Sequence, residues 1–203
     1  MYVFRIPGIF PVLFPNWKWL GNKEEKAVYL TFDDGPHPEI TKWVIETLAA
    51  FEAKATFFCV GENAQKYPDI IRLVQKNGHK TGNHTHNHLK GWENPDADYI
   101  ENVKKASTPL PGNLFRPPYG RIRPSQAKKL RNMGFEIVMW SLLSCDYDPK
   151  LNREKSLNKL IKHTRNGSIV VFHDSEKAFE NLKFILPPYL EFLKSNGFEM
   201  KCL

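Results

Sequence analysis

Cysteine is scarce: Cys59, Cys145 and Cys202 are the only three in 203 residues. An odd, sparse set builds no disulfide framework and suits free thiols in a reducing compartment. Long apolar runs are missing as well, and nothing approaches the roughly 18 consecutive apolar residues of a membrane-spanning helix. The one apolar stretch near the start, GIFPVLF, is broken by Pro11 and soon followed by Pro15. It is unlike a secretory leader, and nothing like an Ala-x-Ala cleavage site follows it. These lacks lead us to expect a cytoplasmic protein with no membrane partner, an expectation that a removed leader would overturn. Dense basic runs are also missing. The formal net charge is +7, yet Lys104-Lys105 and Lys128-Lys129 are isolated pairs on expected helices. A solvated basic surface is the simpler reading, and no nucleic-acid partner is expected.

What is present is globular material. Hydrophobic residues make up 41% and charged residues 25%, enough to fill the core of one domain. A monomer is expected. Residues 1–25 read as an irregular lead-in, rich in aromatics and proline, packed on a domain spanning 26–203. Strands are expected at 26–32, 54–60, 79–84, 113–116, 135–140, 168–173 and 198–202, where short β-rich runs are bounded by Gly, Pro or Asn. Helical spacing fills the gaps: Ile40, Trp43, Val44 and Leu48 share one face, as do Tyr67, Ile70, Ile71 and Val74. Further helices are expected around Ile100, after Pro124, around Leu160, and near Leu190, where Pro187-Pro188 is expected to break the last one. Seven strands alternating with six helices imply a parallel sheet with crossover helices, either an open doubly wound sheet or a barrel. Both place their chemistry beyond the carboxyl ends of the strands.

The polar residues fall there. YLTFDDGP ends an apolar run in two adjacent acids, Asp33 and Asp34, and burying two carboxylates is costly unless a cation compensates. His84 closes the third expected strand, Arg116 the fourth and His173 the sixth, with Asp146 in the loop after the fifth. His84 and His88 are four apart, and residues i and i+4 share a face in helix and strand alike. That spacing suits two imidazoles on one metal, and an Asp from the pair would complete three protein ligands with a position left for water. The other Asp would remain a free base, paired with Arg116. His86 would point elsewhere, His79 belongs to a turn and His163 to a helix surface. Asp146 or Asp174 would raise the pKa of His173 and keep it protonated as a general acid. In FRPPYG the two prolines would fix the loop and aim a backbone N–H at a reacting oxygen.

TFDDGP, then NHTHNH, then RPPYG, then a Trp-containing strand with an acidic loop, then a strand ending in His-Asp resemble the NodB-like polysaccharide deacetylases, carbohydrate esterase family four, over about 26–174. The resemblance implies an α/β fold, a distorted (β/α)7 barrel, and a metal-dependent hydrolase that removes acetyl groups from N-acetylglucosamine in an acetylated oligo- or polysaccharide. By matching position, Asp33 resembles the catalytic base and Asp34, His84 and His88 the metal ligands. Arg116 resembles the arginine that orients the base, and Tyr119, beside Pro118, the donor of the oxyanion-hole N–H. His173 resembles the general acid and Asp146 the carboxylate that tunes it. Zinc is the expected cofactor, and cobalt, nickel or manganese would also be accepted by nitrogen and oxygen ligands. Trp92, Tyr119 and Tyr147 could stack on sugar rings. Leu143 stands where the family often has Asp, Tyr147 where it has Trp, and Val171 where it has Leu. These departures touch the acetyl pocket and bear on substrate preference. O-acetyl ester hydrolysis, as on xylan, and an inert glycan-binding module are the alternatives.

Overall fold

The computed structural model describes residues 4–203; residues 1–3 of the expected lead-in lie outside them. Eight strands form one sheet: β1 (Ala27–Asp33), β2 (Thr56–Cys59), β3 (Lys80–Asn83), β4 (Leu114–Phe115), β5 (Glu136–Ile137), β6 (Leu142–Leu143), β7 (Ser168–His173) and β8 (Glu199–Lys201). The order is β5-β4-β3-β2-β1-β7-β6, and every strand pair is parallel. β8 joins the lower half of β1, on Ala27–Tyr29. The sheet curls into an open barrel of the expected type, with eight strands rather than seven. The extra strand is β6: the run expected at 135–140 stops as β5, and Leu142–Leu143 pairs separately with β7.

β1 lies at the centre. All seven of its residues are buried, because both faces of a parallel sheet are covered. Phe32 stacks on Phe57 and Phe172 at 5.1 and 5.7 Å, tying β1 to both neighbours. The helices are α1 (Ile9–Leu13), α2 (Ile40–Ala50), α3 (Gly61–Lys66), α4 (Pro68–Lys76), α5 (Asp96–Ser107), α6 (Pro124–Asn132), α7 (Arg153–His163) and α8 (Phe179–Ser195). Two of these, α1 and α3, were not expected. GENAQK has no apolar stripe, so α3 carries no periodic signal.

α8 corrects another expectation, since it runs straight through Pro187-Pro188. Each proline costs a helix interior about 3 kcal/mol. Against that, Leu182, Ile185, Leu186, Tyr189, Leu190 and Leu193 are fully buried on one face, at about 1.5–3 kcal/mol each. The carbonyls that lose their donors belong to Lys183 and Phe184, both exposed, so water can satisfy them.

The sheet leaves a seam between its edge strands, and residues 4–20 stitch it. The Leu143 N–H donates to the Phe4 carbonyl and the Ile6 N–H to Ser141, while the Lys18 N–H donates to Ile137 and the Met139 N–H to Lys18. Trp19, buried in this segment, joins the cluster around Phe115 and Ile137.

Register then sets the level of the functional residues. Asp33 is opposite His173 across β1 and β7. Asn83 is opposite Phe115 across β3 and β4, so the next residues, His84 and Arg116, emerge side by side.

Candidate active site

Three ligand-type side chains converge where β1 and β3 end. A carboxylate oxygen of Asp34 and one ring nitrogen each of His84 and His88 lie within 4.8 Å of one another. Asp34 Oδ1 is 3.2 Å from His88 Nε2 and 3.7 Å from His84 Nε2. Ligands about 2.05 Å from a tetrahedral ion are about 3.4 Å apart, so these spacings fit one divalent cation. The tautomer fits as well. His84 Nδ1 donates to the Arg116 carbonyl at 2.7 Å, which turns the Nε2 lone pair toward Asp34. Burial lowers the His84 pKa to about 4, keeping the ring neutral. Burial opposes the charge on Asp34, but the hydrogen bond from His88 and the neighbouring charge on His173 outweigh it and hold the carboxyl below the usual range. Two nitrogens and one oxygen suit zinc and its first-row neighbours.

Asp33 and Arg116 form one side. Arg116 Nη1 donates to Asp33 Oδ1 and to Thr31 Oγ1, both at 2.7 Å. Its Nη2 donates to the Met139 carbonyl at 3.0 Å, and its guanidinium lies 4.1 Å over the Phe58 ring. This arginine is fully buried, which lowers its pKa, while Asp33 opposes that.

His173 and Asp146 form the other side. Asp146 Oδ1 is 2.6 Å from His173 Nδ1, and its Oδ2 accepts the His173 backbone N–H at 3.0 Å. Burial works against the charged ring, yet Asp146, with smaller help from Asp34 and Asp33, raises His173 to about 9. Of the two candidates for this partner, Asp174 turns away. Its carboxyl accepts from Thr41 Oγ1 at 2.5 Å and from the Gly35 N–H at 3.1 Å. A side chain at Gly35 would strike that carboxyl, so the glycine of TFDDGP lets the turn close over Asp174. Asp146 follows β6, the strand that the sequence did not reveal.

Asp33, Asp34, His84, His88 and His173 open on one pocket of about 480 Å³ whose walls include Tyr119, Tyr147 and Val171. Tyr119 sits 58% exposed in the turn Pro118–Gly120 with φ +59°, its ring 4.7 Å from that of His88. Pro118 is buried beneath it. The N–H groups of Gly120 and Arg121 donate to Pro117 and Pro118; that of Tyr119 has no acceptor among the described residues. The Tyr147 ring stands edge-on to His173 at 5.2 Å. Asp34 and His88, like Tyr119, have positive φ, so unfavourable backbone is spent where groups are aimed into the pocket. His86 faces Glu62 instead, at 3.9 Å. His79 is buried, accepting the Ala55 N–H, and His163 ends α7. Trp92 is exposed, beside Arg121 rather than the pocket.

A family profile described as polysaccharide deacetylase matches residues 20–138. The chain belongs to the polysaccharide deacetylase family. It is a hydrolase of the class that acts on carbon–nitrogen bonds other than peptide bonds. A peptidoglycan-N-acetylglucosamine deacetylase of Bacillus cereus is 32% identical over 200 residues, covering 93% of this chain and 90% of its own. A chitooligosaccharide deacetylase of Azorhizobium caulinodans is 35% identical over 160 residues, covering 75% of each chain. The crystal structure of the Bc1960 peptidoglycan N-acetylglucosamine deacetylase superposes with a TM-score of 0.85 at 28% identity, covering 96% of this chain and 94% of that one.

Within this polysaccharide deacetylase fold, Trp140, Ser175 and Lys177 also line the pocket; the sequence motifs included Trp140 only as the tryptophan of a strand and gave the other two no role. Trp140 sits in the β5–β6 seam, and its buried Nε1 has no partner among the described residues. A Cβ on Gly120 would meet its ring at 2.8 Å, so the glycine closing RPPYG makes room for that wall. Lys177 comes from the loop before α8 and has no local signal. Leu143, in the place of a common family aspartate, makes its part of the pocket apolar.

Proposed function

We propose that this protein is a divalent-metal-dependent N-deacetylase acting on N-acetylglucosamine-containing glycans of the chitooligosaccharide or peptidoglycan type, with zinc as the preferred ion. One observation carries the reading: the Asp34–His84–His88 triangle stands between two buried pairs, Asp33–Arg116 and Asp146–His173, in a single pocket. The names of the relatives in Bacillus cereus and Azorhizobium caulinodans support the substrate class.

Asp34, His84 and His88 would hold the ion. When bound, it supplies Lewis-acid polarisation of an acetyl carbonyl and lowers the pKa of water. The chain's own groups do the rest. Asp33, oriented by Arg116, takes the proton of the attacking water. The Tyr119 N–H is available to the carbonyl oxygen as negative charge develops there. His173, protonated at neutral pH, donates its proton to the departing sugar nitrogen, so that amine and acetate leave. Tyr119, Tyr147 and Val171 wall the acetyl group from solvent, and the two tyrosines present their rings to the sugar.

The test is acetate release from chitooligosaccharides, peptidoglycan fragments and acetylxylan, after chelation and after zinc, cobalt, nickel or manganese is returned. Release from the N-acetylated substrates with added metal is expected. Release from acetylxylan alone would assign an O-acetyl esterase. Tight binding of chitooligosaccharide with no release under any metal would assign an inert binding module.

A further inference from the structure

Outside the pocket, α1 is the least satisfied part of the surface. Four of its five residues are large and apolar and stand in water: Ile9 is 54% exposed, Phe10 40%, Val12 72% and Leu13 61%. Single exposed apolar side chains are ordinary, but a contiguous group marks an interaction surface. Cations flank it. The hollow on one side, beside Gly8 and Pro11, is lined by Arg5, Lys23 and Arg165. The hollow on the other side, beside Leu13, is lined by Lys128 and Arg131 of α6. His163 in the first hollow registers the field. Burial lowers its pKa, and Arg5, Lys159, Lys162 and Arg165 all push it the same way, with no acid opposing them.

The position is specific. Arg5 bridges Leu142 antiparallel to β6, so the chain descends from Phe4 to Ile6 toward the amino end of that strand before α1 begins. The hollow beside α1 includes Asn166 and Ser168, at the start of β7. The pocket opens at the other, carboxyl, end.

We propose that α1 docks on an anionic bilayer surface, with Ile9, Phe10, Val12 and Leu13 entering the headgroup boundary while the flanking arginines and lysines meet lipid phosphates. An apolar face rimmed by cations is the pattern of interfacial helices, and the net charge of +7 favours an anionic surface over a neutral one. A second copy of the chain fits less well, because a twofold contact through α1 would set the same cations against each other. A nucleic acid would leave the apolar side chains without a partner. The expectation of no membrane partner rested on the lack of a spanning segment, which a surface-bound helix does not need. Docked this way, the barrel holds its pocket on the side facing away from the lipid.

The experiment is co-sedimentation of the full chain with vesicles of phosphatidylcholine, alone or mixed with phosphatidylglycerol, at low and high salt. Partition onto the phosphatidylglycerol vesicles, reversed by salt, is expected. Lys128→Glu should weaken it about fivefold or more, since each basic residue at a lipid surface contributes about that factor. Val12→Asp should weaken it about tenfold, by placing a charge in the apolar face. Both sites are exposed, so unfolding midpoints and acetate release from soluble chitooligosaccharide should not move. Sedimentation needs no turnover, so its failure is distinct from failure of the proposed chemistry. Absence of wild-type partition would overturn the proposal, as would equal partition of Val12→Asp. A concentration-dependent dimer that Val12→Asp dissolves, without vesicle binding, would assign the face to self-association and overturn it too.

Discussion

On one wall of the pocket Asp33 meets Arg116 at 2.7 Å; on the other, His173 meets Asp146 at 2.6 Å. Each wall pairs a carboxylate with a cation, but front and back are exchanged. Asp33 faces the pocket with a fully buried guanidinium behind it, and His173 faces the pocket with a fully buried carboxylate behind it. The buried member sets the charge offered in front, a proton acceptor on one side and a proton donor on the other. One buried partner never titrates in the working range, and the other holds a group that does. The two walls therefore differ in their response to substitution and to pH.

Asp33→Asn should break the comparison most severely. It keeps the shape and an oxygen for Arg116 but removes the base, so kcat should fall about 10²–10⁴-fold. Bound metal, measured by elemental analysis, should be unchanged; retained turnover would refute the base assignment. Arg116→Met comes next. It leaves Asp33 buried and unpaired, at a cost of about 3–5 kcal/mol, read from urea unfolding. A loss below about 1 kcal/mol would show that the pair does not behave as buried.

On the opposite wall the effect appears in the pH profile. His173 is raised from 6.5 to about 9, so its protonated form, the donor, persists until the pH rises through about 9. Asp146→Asn should move the alkaline limb of kcat/KM down by about a unit or more, toward 6.5. The same shift makes the stability contributed by this pair complete below about pH 6.5 and fading as the pH climbs through about 9. An unmoved limb would detach Asp146 from His173. Thr31→Val is the mildest probe. Thr31 Oγ1 accepts from Arg116 and donates to the Val170 carbonyl at 2.8 Å, so its loss should cost about 1–2 kcal/mol and leave the alkaline limb in place.

Much of the site was legible because its residues interrupt apolar strands. Asp33-Asp34 and His173 end buried runs that are otherwise uncharged and mostly apolar, and a charge at the tip of a buried strand demands an explanation. His84 and His88 were legible through spacing. The elements that escaped lack local signal. β6 is two residues long and is defined by its partners rather than by a pattern of its own, and α3 has no apolar stripe. The unbroken α8 escaped for the opposite reason, because the local signal of two prolines was overruled by burial of the whole face. Trp140 and Lys177 reach the pocket through the seam and the curl of the sheet, which no spacing along the chain encodes. α1 was masked by Pro11 and the prolines that flank it, and its exposed apolar face becomes visible only once the barrel beneath it is in place.

The most direct measurement is a zinc titration of the chelator-treated protein with acetate release followed in the same samples, repeated for His84→Ala and His88→Ala. The account predicts that release returns in step with one bound equivalent per chain and that neither variant retains the ion or recovers activity. Full release from the chelated wild type, or one equivalent held undiminished by both variants, would contradict it.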